Sequence, residues 1–488
     1  MTRPAAGTEP FAVADELTCY YDRPSEPANV HLEVRLPGRL DQAVLTAAVA
    51  GLLEAERGLR ARRAGGRHWQ RRYRWEFAAR PDTEPLVVSA YSDQADLDRQ
   101  RDAFVSLPPP LDSAPTFLLL LASGPGGDHL LLNAHHARFD GLACLRLLTE
   151  LGAAYGGLAR LAGRAAARPD GEPAEPDAGP QPGPGSRSEQ AEALRQLGPA
   201  GAETRFQIGV LAAEPGRPGE PARRRPRGRI PGRVARIAPG REMGRRRPRP
   251  GYGTCLLTWE GPGLAAAARE AGASVNDMLL TALMMTVADW NASRRPPARS
   301  VWPGRPVPPG LIRITMPVGD QVQAGPAGAW ANRSRLAAVA ARPGPRSEPG
   351  ALLADVARQT PVAKRRQGPQ VGLVSRALTA APGPAVAKHA ALRAALRIAG
   401  PVLCDTALLS NLGQAAAPAF GDLVGSEMWF STSAHLPRGL SVGVVSSAGR
   451  LRCTFRYRSA LLSAADAAEF AGRYGKALDQ LVSAKAGR

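Results

Sequence analysis

The chain is broken in the middle. From about Ala166 to Pro250 it runs through ARPDGEPAEPDAGPQPGPGS and then an arginine-rich stretch. That composition is too rich in proline and glycine to form a packed element. A structureless run of this length is unusual inside a compact unit. It reads as an interdomain linker or a large mobile loop, with one short helical pattern at SEQAEALRQL. Residues 166–250 therefore separate two folding parts, 1–165 and 251–488. The division suits a chain of 488 residues, since single cores stop growing near roughly 250–300 residues.

Both parts mix strand and helix patterns, which makes the fold class α/β. His31 to Leu36 alternates as a strand, and Asp41 can cap the helix that follows, with Val44, Leu45, Ala48, Leu52 and Leu53 at helical spacing. Residues 116–121 and 129–134 read as buried strands. Residues 142–162 read as a helix with Leu142, Leu145, Leu148 and Leu151 on one side. In the second part, strands are expected at 254–259, 311–318, 405–411, 427–434, 440–446 and 450–458. Helices are expected near 262–271, from Ser274 onward, at 350–365, at 385–399 and at 464–482. Ser274 and Asp277 form an approximate capping box.

Composition excludes several classes. No run of about 18 apolar residues occurs, which excludes a membrane-spanning helix of the usual kind. The opening MTRPAAGTEPFAVADEL has no apolar signal core. Cys19, Cys144, Cys255, Cys404 and Cys453 are far apart and make no CxxC pair. They suggest neither a disulfide framework nor a metal site, so a cytoplasmic protein is expected. The net charge of +20 comes from 63 basic residues, only four of them lysines. Residues 223–249 alone hold twelve arginines and one acid, a local net of +11. Mixed with proline and glycine and lacking aromatic residues to stack on bases, this run reads as a solvated linker that could recruit an acidic partner, not as a nucleic-acid site.

The segment that carries chemistry is His129 to Gly141, HLLLNAHHARFDG. A hydrophobic strand ends in His135 and His136, and Asp140 and Gly141 follow. Chance alone gives roughly 0.0005 occurrences of HHxxxDG in a chain of this composition. Adjacent residues on extended backbone point to opposite sides, so one imidazole can face a channel while the other packs inward. A neutral imidazole can take a proton from an alcohol or amine near neutral pH. Asp140 can hold the turn through an ion pair or backbone bonds. Gly141 leaves space for a passing substrate or an unusual backbone turn.

At these residues the sequence resembles the chloramphenicol-acetyltransferase-like superfamily, which includes nonribosomal-peptide condensation domains, wax-ester synthases and polyketide-associated acyltransferases. HHARFDG matches all four fixed positions of its HHxxxDG signature. Leu59-Arg60-Ala61-Arg62, SVNDMLLTAL, ITMPV and LLSNLG follow in the family's order. The resemblance implies two such subdomains arranged as a V-shaped pseudo-dimer, with a tunnel between them. It implies His136 as the catalytic residue, with His135, Asp140 and Gly141 structural. The reaction implied is acyl transfer to a small-molecule alcohol or amine, forming an ester or amide in specialised metabolism. The donor would be a thioester of coenzyme A or of a carrier protein's phosphopantetheine arm, used as co-substrate, with no bound cofactor and no metal.

The sequence also departs from the family. An arginine that relatives place after the ITMPV-like strand, paired with the motif aspartate, is replaced in MPVGDQ, where Asp320 stands near that position. Arg313 and Arg333 are the available substitutes. A DFGWG-type latch is not evident. An inert module that binds a carrier protein is therefore the alternative reading. Ser410, Ser431, Thr432, Ser433 and His435 are secondary candidates for the same cleft, with His435 expected in an exposed loop.

Overall fold

The computed structural model describes residues 7–65, 71–166, 234–241, 251–261, 263–294, 310–319, 330, 332, 334–344, 347–365, 383–388, 390–391, 394, 405–435 and 438–484. Most of the 166–250 segment, the helix expected at SEQAEALRQL, Arg333, Asp320 and much of 389–399 lie outside these residues.

In chain order the first part holds β1 (Thr8–Pro10), α1 (Val13–Tyr21), β2 (Asn29–Leu36), α2 (Gln42–Ala55), β3 (Ala61–Arg63), β4 (Arg74–Phe77), β5 (Leu86–Ala90), α3 (Gln94–Ser106), β6 (Phe117–Gly124), β7 (Gly127–His135) and α4 (Gly141–Ala166). The second holds β8 (Tyr252–Trp259), α5 (Leu264–Glu270), α6 (Val275–Arg294), β9 (Ile312–Gly319), β10 (Ser334–Ala341), α7 (Pro349–Arg365), β11 (Ala407–Gln414), β12 (Ala419–Phe420), β13 (Leu423–Val424), β14 (Glu427–Thr432), β15 (Leu440–Ser447), β16 (Arg450–Arg458) and α8 (Ala464–Ser483). No single helix among the described residues is long and apolar enough to cross a membrane.

Local chemistry sets the helix starts. Asp41 Oδ1 accepts the N–H groups of Ala43 and Val44 at 2.8 and 3.0 Å, satisfying donors that the first turn of α2 leaves free. Ser274 and Asp277 exchange side-chain and backbone bonds at 2.8 and 3.2 Å, a true capping box for α6. On α4, Leu145, Leu148 and Leu151 are buried as the periodicity predicts, but Leu142 is 45% exposed. Its turn lies at the helix entrance, before the apolar stripe reaches the core.

Two sheets organise the chain. The first has the order β14-β2-β7-β6-β5, the second β10-β9-β11-β15-β16-β8. Period-2 alternation gives β2 two different faces. Val30, Leu32, Val34 and Leu36 pack into the core under α2 and α4. Asn29, His31 and Glu33 point the other way and are just as buried. The second core gathers α6, α8 and the six-stranded sheet around Trp290, Phe455, Phe470 and Tyr474. Val234, Ile237 and Ala238, within the stretch read as linker, are buried. Ile237 and Ala238 pack into this second core. Trp290 Nε1 donates to the Ala238 carbonyl at 2.8 Å.

The two parts are not independent along the chain. β14 comes late in the sequence yet pairs antiparallel with β2, placing Phe430 opposite Leu32 and Ser431 opposite His31. It also lies against β15, where a Cβ at Gly443 would collide with the Phe430 carbonyl oxygen. Helix α3 ties the same junction. Asp102 Oδ1 accepts from Thr254 N and Oγ1 on β8 at 2.8 and 2.7 Å. The last carbonyls of α3 are satisfied from both parts: Phe104 by Asn133, and Val105 by Asn29 and by Arg456 of β16.

Candidate active site

The central strand β7 ends at His135, and the chain turns at once. The N–H groups of Arg138 and Phe139 both donate to the His135 carbonyl, at 2.9 and 3.0 Å. Asp140 closes the turn as the cap of α4, its Oδ1 accepting from Ala143 N at 2.9 Å. A Cβ at Gly141 would meet Leu412 Cδ2 at 2.6 Å and Phe430 Cε2 at 2.8 Å. Those two side chains, both from the second half of the sequence, fill the space that the missing Cβ leaves. The glycine lets the start of α4 approach them.

His136 stands at the apex of this turn and is half-buried. Its Nδ1 lies 2.9 Å from the Phe139 carbonyl oxygen, which can only accept. Nδ1 therefore carries the proton and Nε2 the lone pair. No hydrogen bond to Nε2 occurs among the described residues. Burial pushes the pKa below the ordinary histidine value; the Phe139 carbonyl and the Asp140 carboxylate act the other way without overcoming it. The ring is thus neutral near pH 7. Asn332 Nδ2 donates to the His136 carbonyl at 2.8 Å, fixing the backbone from the far side.

His135 is fully buried. Its Nδ1 accepts the Ala137 N–H at 3.1 Å, so Nε2 bears the proton and donates to Asp22 Oδ2 at 3.3 Å. Asp22 has no motif around it, and sequence reading passes over it. Near it lies His435, edge-on to Tyr21 at 6.4 Å. His435 follows β14 and was expected in an exposed loop. Both of its ring nitrogens are instead buried, with no hydrogen-bond partner among the described residues. Burial, with Arg438 and Arg456 close by, pushes its pKa down to about 3. Ser431 Oγ and Thr432 Oγ1 are also buried with no partner among the described residues. Arg313 is ion-paired with Asp405.

A second polar cluster lies farther along β7, with His129 about 20 Å from His135 at strand rise. Glu33 is fully buried. It accepts from Arg101 Nε and Nη2 at 2.6 and 2.8 Å and meets His129 Nδ1 at 2.8 Å. His31 lies 3.8 Å from the same carboxylate. Arg101 and His129, with Arg35, Tyr91, Leu256 and Trp429, line a cleft of about 350 Å³. Neither His31 nor His129 belongs to a sequence motif. No group of three metal-ligating side chains occurs among the described residues.

No family model matches the sequence. The chain is 28% identical over 439 residues to an uncharacterized protein of Mycobacterium tuberculosis, found in two strains, covering 88% of this chain and 89% of the relative. Among solved structures it is similar to the first condensation domain of the calcium-dependent antibiotic synthetase, with a TM-score of 0.60 and 15% identity, over 98% of this chain and 97% of the other. The condensation domain from the Monacolin K polyketide synthase MokA gives a TM-score of 0.55 and 12% identity, with 98% of each chain covered. The epimerization domain from the third module of tyrocidine synthetase B gives 0.53 and 14%, with 99% of each covered. The fold, built on two sheets joined through β14, is therefore that of the condensation domains.

Proposed function

We propose that the protein is a condensation-type acyltransferase that moves an acyl group from a thioester to an alcohol or amine, with His136 as general base. One observation carries the reading: the Phe139 carbonyl fixes the proton on Nδ1 of His136 and leaves the Nε2 lone pair with no hydrogen-bond partner among the described residues. The acceptor's O–H or N–H proton passes to Nε2 as its oxygen or nitrogen bonds to the thioester carbonyl carbon. The C–S bond then breaks, and the imidazolium returns the proton to the departing thiolate. The products are an ester or amide and a free thiol. Donors of the right chemistry are coenzyme A and carrier-protein phosphopantetheine thioesters. His135, Asp140 and Gly141 shape the turn that presents His136.

The test is a panel of acyl-coenzyme A and acyl-pantetheine thioesters offered with small alcohols and amines, following thiol release and product mass together. His136→Ala is expected to lower kcat by about 10²–10⁴ while leaving the fold intact, the usual range for a general base. A His136→Ala protein with full activity overturns the assignment. The alternative of an inert carrier-binding module predicts that the wild-type protein consumes none of the thioesters.

A further inference from the structure

Resting on the reading of His136 as the base, we infer that Asp22 is the positioning residue of the site. Its carboxylate holds the backbone on both sides of His136 without touching the reacting atoms. One oxygen, Oδ1, accepts the Ala28 N–H at 2.8 Å, and the Ala28 carbonyl accepts the His136 N–H at 2.8 Å. The other, Oδ2, accepts Nε2–H of His135, whose Nδ1 accepts the N–H of Ala137. One side chain at the end of α1 thereby reaches residues 136 and 137 through two separate relays. Each relay is one hydrogen bond removed from the turn that aims the His136 ring.

The environment keeps Asp22 ionised for this task. Burial opposes its charge, but the hydrogen bonds from His135 and from the Ala28 N–H hold its carboxyl below the usual range. A charged acceptor makes the stronger bond. The His135 ring in turn cannot flip, because Ala137 N–H needs Nδ1 as an acceptor.

The experiment is a long-range ¹H–¹⁵N correlation spectrum of the full-length protein, with the histidine rings assigned by single His→Gln variants. Asp22→Asn keeps the side chain's shape but removes the charge and one of the two acceptors; Asp22→Ala removes both. We expect the His135 and His136 ring signals to move in each variant while that of His129, toward the far end of β7, stays in place. That last condition shows that the fold is retained, and the isosteric variant serves if Asp22→Ala does not fold. With an active substrate pair, kcat should fall about 10- to 100-fold with KM within about threefold, as expected for a base displaced on a scale of an ångström. Unchanged His135 and His136 signals in Asp22→Asn and Asp22→Ala overturn the assignment. This readout needs no activity, so it is independent of the His136→Ala result, which judges the base itself.

Discussion

Two buried imidazoles make the protein's stability respond to acid. His31 and His435 each have a pKa pushed down to about 3, chiefly by burial, with Arg456 adding repulsion at both and Arg101 at His31. In the unfolded chain both take up a proton near pH 6.5. Between those values the unfolded state binds more protons, so stability falls as pH falls. At pH 5 each ring removes about 2 kcal/mol relative to its contribution at neutral pH. Urea unfolding at pH 5, 6 and 7 should show a midpoint that rises with pH, and His31→Gln should flatten the rise; equal slopes in the two proteins would refute the account. The site residues differ in how far sequence could reveal them. His135, His136, Asp140 and Gly141 are neighbours in the chain, so their pattern is visible. Asp22 lies 113 positions from His135, and only the folded chain brings them together. His435 misleads for a similar reason: its loop looks exposed until β16 and α1 close over it.

At the scale of elements, apolar periodicity was a good guide wherever a helix or strand has one face in a core, as for α2, β2, α6 and α8. It failed for α3. That helix offers few apolar residues: Arg101 donates to Glu33 and to Asp98, and Asp102 accepts from Thr254 at the edge of the second sheet. With Arg101 interrupting the buried row of Leu97, Phe104 and Val105, the hydrophobic stripe is too thin to read. The start of α4 supplies a test of close packing. Gly141→Ala places a methyl group against Leu412 and Phe430, both of which must shift. The expected cost is about 1–3 kcal/mol, seen as a lower thermal midpoint together with reduced activity, since the same turn carries His136. A variant with wild-type stability would mean that the neighbours yield freely and that the glycine serves another purpose.

Over the whole molecule, the pairing of β14 with β2 could not be read from periodicity. Residues 427–434 look like any other strand, and nothing in them states which sheet they join. The observed register turns a linear division at residues 166–250 into an interlocked one, with Phe430 in the first core although it belongs to the second half of the sequence. Gly443 marks a point where the two sheets press together. Gly443→Ala sets a methyl group against backbone, namely the Phe430 carbonyl and Ser431 Cα at 2.9 Å, which cannot rotate away. The loss should lie at the top of the roughly 1–3 kcal/mol range for overpacking. Protease cleavage should also increase between the sheets. An unaltered melting curve would show that the sheets tolerate separation.

The same crossing imposes an order on biosynthesis. Arg35 of β2 pairs with Glu427 of β14 across 392 positions of sequence. At roughly 5–20 residues per second the partner strand leaves the ribosome about 20–80 s after β2 does. During that interval the nascent first half presents an open strand beside β2, and His31 and Glu33 wait for neighbours that have not yet been made. Such a half-finished sheet is a natural client for chaperones, and a gene cut at the central proline-rich stretch would leave the first sheet without its edge strand β14.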